Sequence, residues 1–297
     1  MLTRRRFIAI SAALAPSLAL AKTPDLHIET GIALGARVTL RLQHPDAPRL
    51  SAMAMTEIRR LEAVFTLYQP DSALSRLNRD GRLAEPPFEL LDCLTLAGAV
   101  HSASNGRFDP TVQPLWRAEA AALTRAAPLT DAERAALMNQ IGWHDVTFAP
   151  DAITLRPGMA LTLNGIAQGY IADRVAALLA SHGLTRALID TGEMRALPEG
   201  GWPVQMMDGA LTLRNRALAT SAPLGMTFGG DGVTSHILNP ATGRPVVPRW
   251  RAITVSAPSA ALADALSTAA CLTEIKAEID NLCDRFPGAI LESAVPL

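Results

Sequence analysis

The run Ala261-Leu-Ala-Asp264-Ala-Leu-Ser-Thr268-Ala-Ala-Cys271-Leu272 reads as an apolar helix interrupted by two oxygen-bearing side chains four residues apart. That spacing puts Asp264 and Thr268 on one face. Aspartate is a poor helix-interior residue and is costly to bury without a partner. A fold containing this helix must either turn Asp264 to solvent or give its carboxylate something to hold. A hard cation such as Mg2+ would satisfy both oxygens.

The rest of the chain limits what could supply that environment. Of 297 residues, 49% are hydrophobic and 19% charged, which excludes a disordered chain and allows a sizeable core. Basic and acidic residues number 27 and 28, a net charge of −1, so nucleic acid is not held by bulk charge. Lys22 and Lys276 are the only lysines, which excludes P-loop and lysine-nucleophile chemistry. Cys93, Cys271 and Cys283 are too few for a disulfide framework. Cys271 and Cys283 could pair in an oxidising compartment, with three buried thiols as the default. The chain lacks G-x-S-x-G, H-E-x-x-H and C-x-x-C, has no G-x-G-x-x-G after a strand, and pairs no histidines at i, i+4. Zinc and nucleophile-triad chemistries are accordingly disfavoured.

Residues 1–21 combine Thr3-Arg4-Arg5-Arg6-Phe7-Ile8, a short apolar run and Ala19-Leu20-Ala21. This reads as a cleaved signal peptide, and the paired arginines suggest the twin-arginine route over an ordinary secretory one. The apolar run is too short to span a membrane. The expectation is a periplasmic protein, residues 22–297, with no stable membrane insertion after cleavage.

Hydrophobic periodicity predicts helices over 51–67, 88–104, 169–181, 261–271 and 275–286, and a capping box at Thr130-Asp131-Ala132-Glu133 opens another that runs to Ile141. Strands are expected over 37–42, 145–148, 152–155, 160–163, 186–189, 204–207, 210–213, 217–220, 235–238 and 251–256. Their irregular order suggests an α+β fold. Three loops stand out beside the helix. Asn164-Gly165-Ile166-Ala167-Gln168-Gly169 leads from a strand into a helix, where bare backbone can approach a phosphate, although a plain turn has the same pattern. Asn105-Gly106-Arg107-Phe108-Asp109-Pro110-Thr111-Val112-Gln113-Pro114-Leu115-Trp116 is a loop with two prolines and buried-type aromatics, and Asp-Pro is also a common turn. His236 precedes a rigid Asn239-Pro240 turn, and beside a phosphoester it could act as a general base.

Taken together and in order, these segments resemble the ApbE family, periplasmic transferases that use FAD to attach FMN to a threonine of another protein. The likeness runs from about Gly31 to Leu272. It rests on Leu34-Gly35-Ala36, Tyr68-x-Pro70-x-Ser72-x-Leu74-Ser75-x-Leu77-Asn78 and Gly106-x-Phe108-Asp109-x-Thr111-Val112-x-Pro114-Leu115. It continues through Gly165-Ile166-Ala167-x-Gly169-Tyr170, His236-Ile237-x-x-Pro240-x-Thr242-Gly243 and Ala263-Asp264-Ala265-x-x-Thr268. The twin-arginine start also resembles the NosX type that accompanies nitrous oxide respiration.

The resemblance implies mixed sheets with flanking helices, T-fold-like, in two lobes around a flavin site. It implies Mg2+ held by the Gly165 carbonyl, Asp264 and Thr268. Leu34, Tyr68, Asp109, Pro110, Thr111, Thr162, Gln168 and Leu238 would line the FAD site, and His236 would be the base. The acceptor would be the flavin domain of a membrane redox complex. Where the family usually has an aspartate this chain has Thr162, and where it has a lysine or acid this chain has Gln168. Its paired glycines become Gly192-Glu193, and its threonine-serine-glycine becomes Thr220-Ser221-Ala222. Two other readings stand beside the transferase: an FAD diphosphatase, in which the same site uses water as the nucleophile, and, favoured by the departures at Thr162, Gln168 and Glu193, a non-catalytic flavin-binding maturation partner of a respiratory complex.

Overall fold

The structure, a computed structural model, describes residues 24–297 except Leu34 and Ala126. The signal-peptide expectation and the placement of Leu34 fall outside the described residues. In chain order the elements are β1 (His27–Ala33), β2 (Ala36–Leu42), α1 (Ala47–Phe65), α2 (Ala73–Asp80), β3 (Arg82–Ala84), α3 (Phe88–Ala103), α4 (Gln113–Arg125), α5 (Asp131–Met138), β4 (Thr147–Ala149) and β5 (Ala152–Thr154). They continue with α6 (Ala167–Ser181), β6 (Ala187–Asp190), β7 (Met194–Ala196), β8 (Trp202–Met206), β9 (Gly209–Leu213), β10 (Ala217–Ser221), β11 (Leu238–Asn239), β12 (Arg244–Pro245), β13 (Trp250–Ala257), α7 (Ala260–Ala270), α8 (Lys276–Cys283) and β14 (Ile290–Pro296).

The organising layer is a seven-stranded sheet in the order β1-β2-β6-β7-β10-β13-β14. Every pairing in it is antiparallel. Strand alternation sends side chains to two faces. Ala187, Ile189, Ala217 and Ala219 join the main core, while Leu188 and Leu218 join a smaller cluster with Trp202, Val204 and Leu213 of the β8–β9 hairpin. The main core is closed by helices: α1 rests on β1 and β2, α6 on β6 and β7, and α7 on β10 and β13. A three-stranded sheet, β3-β5-β4, lies apart from this layer.

Helix α7 is buried almost all round, with Thr268 alone among its residues not buried. It is held between the sheet on one side and α6 and α3 on others. Its first turn is capped twice: Ser259 Oγ accepts from Leu262 N–H at 3.2 Å, and the Asp173 carboxylate accepts from Ala260 and Ala261 N–H at 2.8 and 2.9 Å. Gly169 lets α6 approach this closely, because a Cβ there would lie 2.3 Å from the Ala260 oxygen. The capping box at Thr130 and Glu133 is present, and the helix it opens stops at Met138, short of Ile141.

Several expected strands differ. Residues 160–163 form no ladder, although Ala160, Leu161 and Leu163 are buried. The Asn78 side chain takes the place of a neighbouring strand, donating to the Leu161 carbonyl and accepting from the Leu161 N–H, both at 2.7 Å. Thr162 N–H donates to the Pro110 carbonyl at 2.8 Å. The strand expected over 145–148 is a 3-10 turn, Trp143–Asp145, followed by β4, and that over 235–238 shrinks to β11. Cys93, Cys271 and Cys283 are separate buried thiols, so Cys271 and Cys283 do not pair. Among the described residues no helix is long and apolar enough to cross a membrane.

Candidate active site

The end of α7 and three loops meet around one cavity of about 100 Å3. Asp109, Pro110, Thr162, Gly165, His236, Leu238 and Thr268 all line it. Its size suits a phosphate group or two rather than a whole dinucleotide. The start of α4 leads on to a second, larger groove of about 360 Å3: Trp116 faces the first cavity, and Gln113 and Arg117 the second, which Tyr68 and Pro70 also line. Tyr68 is 76% exposed, a free aromatic face on the rim of this groove.

Asp264 does not line the cavity; it stands on α7 one turn before Thr268, which does. It is 3% exposed, and its Oδ2 has no hydrogen-bond partner. Burial pushes its carboxyl up to about 8, against a Gly169 N–H that donates to it from the first turn of α6. Thr268, one turn on, presents its hydroxyl beside Gly165, so closely that a Cβ at Gly165 would meet Thr268 Oγ1 at 2.8 Å. Ser221 Oγ lies 3.3 Å from Thr268 Oγ1 and 2.7 Å from Ser267 Oγ. An orphaned buried carboxylate oxygen, a hydroxyl and a bare glycine backbone form an all-oxygen donor set, which suits a hard divalent cation. No group of three or more His, Cys, Asp or Glu side chains among the described residues could hold a metal. A thiolate or imidazole site is therefore not the fit here.

His236 is half-buried, and burial lowers it below its ordinary value of 6.5. Its Nδ1 lies 2.8 Å from the Met226 carbonyl. A carbonyl only accepts, so Nδ1 carries the proton of the neutral ring and Nε2 keeps a lone pair.

The Asp109 loop is held by its own side chains. Asp109 Oδ1 accepts from Thr111 N–H at 2.8 Å and from Thr111 Oγ1 at 2.6 Å, and Thr111 Oγ1 accepts from Gly142 N–H at 2.9 Å. Thr111 is wholly buried, so its hydroxyl shapes the loop from behind while Asp109 and Pro110 face the cavity. Gln168 is not brought to the cavity. Its carbonyl accepts from Thr191 Oγ1 at 2.8 Å, and its side-chain amide lies against Gly192.

Beyond that turn, Glu193 is 8% exposed and accepts from the Thr220 N–H, and its Oε2 has no partner. Burial raises it well above the usual carboxylate range, and the charge of Asp264 adds to the rise. The sequence marked this position only as a departure from glycine. Asn78 likewise stood in a motif with no role attached.

The ApbE family profile matches residues 34–290. The FAD:protein FMN transferase of Klebsiella pneumoniae is 29% identical over 251 residues, covering 76% of each chain. A protein of the same name from Vibrio cholerae is 30% identical over 245 residues, covering 73% of this chain and 72% of its own. Among solved structures, the apo flavinyl transferase ApbE of Pseudomonas stutzeri superposes with a TM-score of 0.77 at 22% identity, covering 93% of this chain and 95% of that one. An ApbE protein of Thermotoga maritima gives a TM-score of 0.77 at 23% identity over 92% of this chain and 96% of its own. The α+β expectation and its mixed arrangement of sheets and helices agree with these folds.

Proposed function

The chain belongs to the ApbE family, and from that premise and its site we propose that it is an FAD:protein FMN transferase. It moves the FMN half of FAD onto a threonine hydroxyl of an acceptor protein and releases AMP. One observation carries this reading: His236 faces the same small cavity as Gly165 and Thr268, and Asp264 with its unsatisfied oxygen stands one helical turn before Thr268.

Asp264, Thr268 and the Gly165 carbonyl would hold Mg2+, which when bound offsets negative charge on the diphosphate and on the departing AMP. Tyr68 offers its exposed ring to the isoalloxazine, in the groove that continues from the cavity. The Asp109–Thr111 turn, fixed by its internal hydrogen bonds, and the Thr162 and Leu238 segments set the walls within which the diphosphate lies. His236 Nε2 takes the proton of the incoming threonine hydroxyl as its oxygen bonds to the FMN phosphorus. The bond from that phosphorus to AMP breaks, and AMP leaves with the electron pair. No covalent bond to the enzyme forms, so alignment and electrostatics supply the rate.

The arginine-bearing amino-terminal segment supports export by the twin-arginine route to the periplasm, with 22–297 as the mature domain. The acceptor would then be the flavin domain of a membrane redox complex facing that compartment. The test is to incubate purified mature protein with FAD, Mg2+ and a flavin-domain acceptor, and to look for flavin fluorescence on a denaturing gel together with one AMP per flavin attached. AMP released at the same rate without acceptor would instead identify a diphosphatase. FAD bound with neither product would identify a binding partner.

A further inference from the structure

The buried carboxylate of Glu193, in the field of Asp264, has no work in the mechanism. It is reached from a turn that several elements hold in place. Thr191 Oγ1 donates to the Gln168 carbonyl at 2.8 Å, tying the β6–β7 turn to the start of α6. Gly192 takes a φ of +105°, a left-handed conformation that brings the next residue back towards the sheet. Glu193 then meets the end of β10, where the Thr220 N–H donates to its carboxylate in place of a ladder partner. The neighbouring residue, Ser221, contacts Ser267 and Thr268 of α7. The same short stretch of β10 therefore touches both the Glu193 carboxylate and the hydroxyl of a cation ligand.

Two carboxylates in one region, 3% and 8% exposed, each keep one oxygen without a donor: Asp264 Oδ2 and Glu193 Oε2. Among the described residues no ion pair joins a basic side chain to either acid, and Arg195, two residues on from Glu193, pairs with Asp173 at 3.5 Å. Burying two such groups without a cation is costly, and one divalent ion offsets both. Magnesium sites combine one or two carboxylates with waters and substrate phosphates, so a second carboxylate raises the protein's own share of the hold on the ion.

We propose that Glu193 is a second carboxylate of the cation site, so that this protein holds a divalent cation of the magnesium class before FAD arrives. This rests on the reading of Asp264 and Thr268 as cation ligands, and the test separates the two. The probe is Mn2+ alone, with no FAD. Binding is followed by loss of the free-ion EPR signal and by the rise in melting temperature on adding the metal.

Wild-type protein should bind Mn2+ without FAD. Glu193→Gln, which keeps shape and removes charge, should weaken it at least about tenfold, the lower end of the effect seen on removing even an outer partner of a metal ligand. Asp264→Asn should abolish binding with or without FAD. If Asp264→Asn binds Mn2+ like the wild type, the cation reading itself fails. If Asp264→Asn loses the ion and Glu193→Gln does not, only the role of Glu193 is overturned. It is also overturned if the wild type takes up Mn2+ only when FAD is present. Should Glu193→Gln not fold, as judged by circular dichroism, Glu193→Asp withdraws the charge by one methylene. Unchanged affinity in that folded variant overturns the proposal equally.

Discussion

Gly169→Ala tests whether the crossing of α6 on α7 sets the position of the cation ligands. The new Cβ would lie 2.3 Å from the Ala260 oxygen and 2.6 Å from the Ala261 nitrogen. Both are backbone atoms at the start of α7, anchored by the two Asp173 hydrogen bonds, so no side chain can swing aside. Reaching ordinary contact means opening the gap from 2.3 to 3.4 Å, a separation of 1.1 Å between two closely packed helices. Overpacking of this kind costs about 3 kcal/mol when only backbone can yield. In a chain of this size that lowers Tm by about 5 °C. Asp264 and Thr268 ride on α7 while Gly165 belongs to the approach to α6, so the same displacement pulls the donor set apart. A shift of about 1 Å in a positioned group costs roughly a hundredfold in rate. Thermal unfolding by circular dichroism, a Mn2+ titration and the gel assay for flavin transfer measure the three effects. A variant whose Tm and Mn2+ affinity both match the wild type would refute the claim that this glycine fixes the site.

His236→Asn should lower transfer about 10²- to 10⁴-fold, the usual worth of a positioned base, while FAD affinity from equilibrium dialysis stays close to wild type. Because burial holds His236 below 6.5, its Nε2 is free at neutral pH, and the rate should fall only as pH drops below that value. The same depression makes the unfolded chain bind this proton first. The stability it contributes is therefore present above pH 6.5 and lost as pH falls through the folded value, and the asparagine variant should lack both acid limbs. Asn78→Ala leaves the N–H and carbonyl of the fully buried Leu161 without partners and should cost about 3 kcal/mol in urea unfolding. A loss well under 1 kcal/mol, by the same scale, would mean that water replaces the amide. Thr111→Val removes the hydroxyl shared by Asp109 and Gly142 and should cost about 2 kcal/mol. Unchanged stability there would show that the loop is held by its prolines instead.

What could be read from the amino-acid sequence divides along physical lines. The helix bearing Asp264 and Thr268, the capping box at Thr130 and the interior strands β2, β6, β10 and β13 were legible, because burial imposes strong patterns on them, whereas the three-residue β7 was not. The sheet's two edge strands, β1 and β14, went unmarked: β1 puts Ile28 and Ile32 at its exposed positions, and β14 is largely half-exposed, so neither shows an apolar face turned to the core. Helix α2 is short and polar, and it starts from a cap in which Ser72 Oγ accepts from the Ser75 N–H. Residues 160–163 carry strand-like composition, yet their backbone groups are satisfied by a side chain from residue 78, a pairing across 83 positions that no local pattern encodes. The cation site was legible only from the α7 side. Glu193 looked like a mere replacement of glycine, because its approach to Asp264 depends on how the β6–β7 turn folds back on β10.

The burial of α7 also decides which parts of the molecule can open. A helix covered by the sheet and two other helices cannot fray on its own, so its amides should exchange with solvent only when the whole protein unfolds. The segment carrying His236 is tied more lightly, by the two-residue ladder of β11 and β12, an isolated bridge from Thr227 to Ser235 and loop hydrogen bonds to the Pro223 and Met226 carbonyls. Deuterium should enter that segment first, orders of magnitude ahead of α7. Substrate traffic would then be gated on the histidine side, while the acid and hydroxyl opposite keep a fixed position from one turnover to the next.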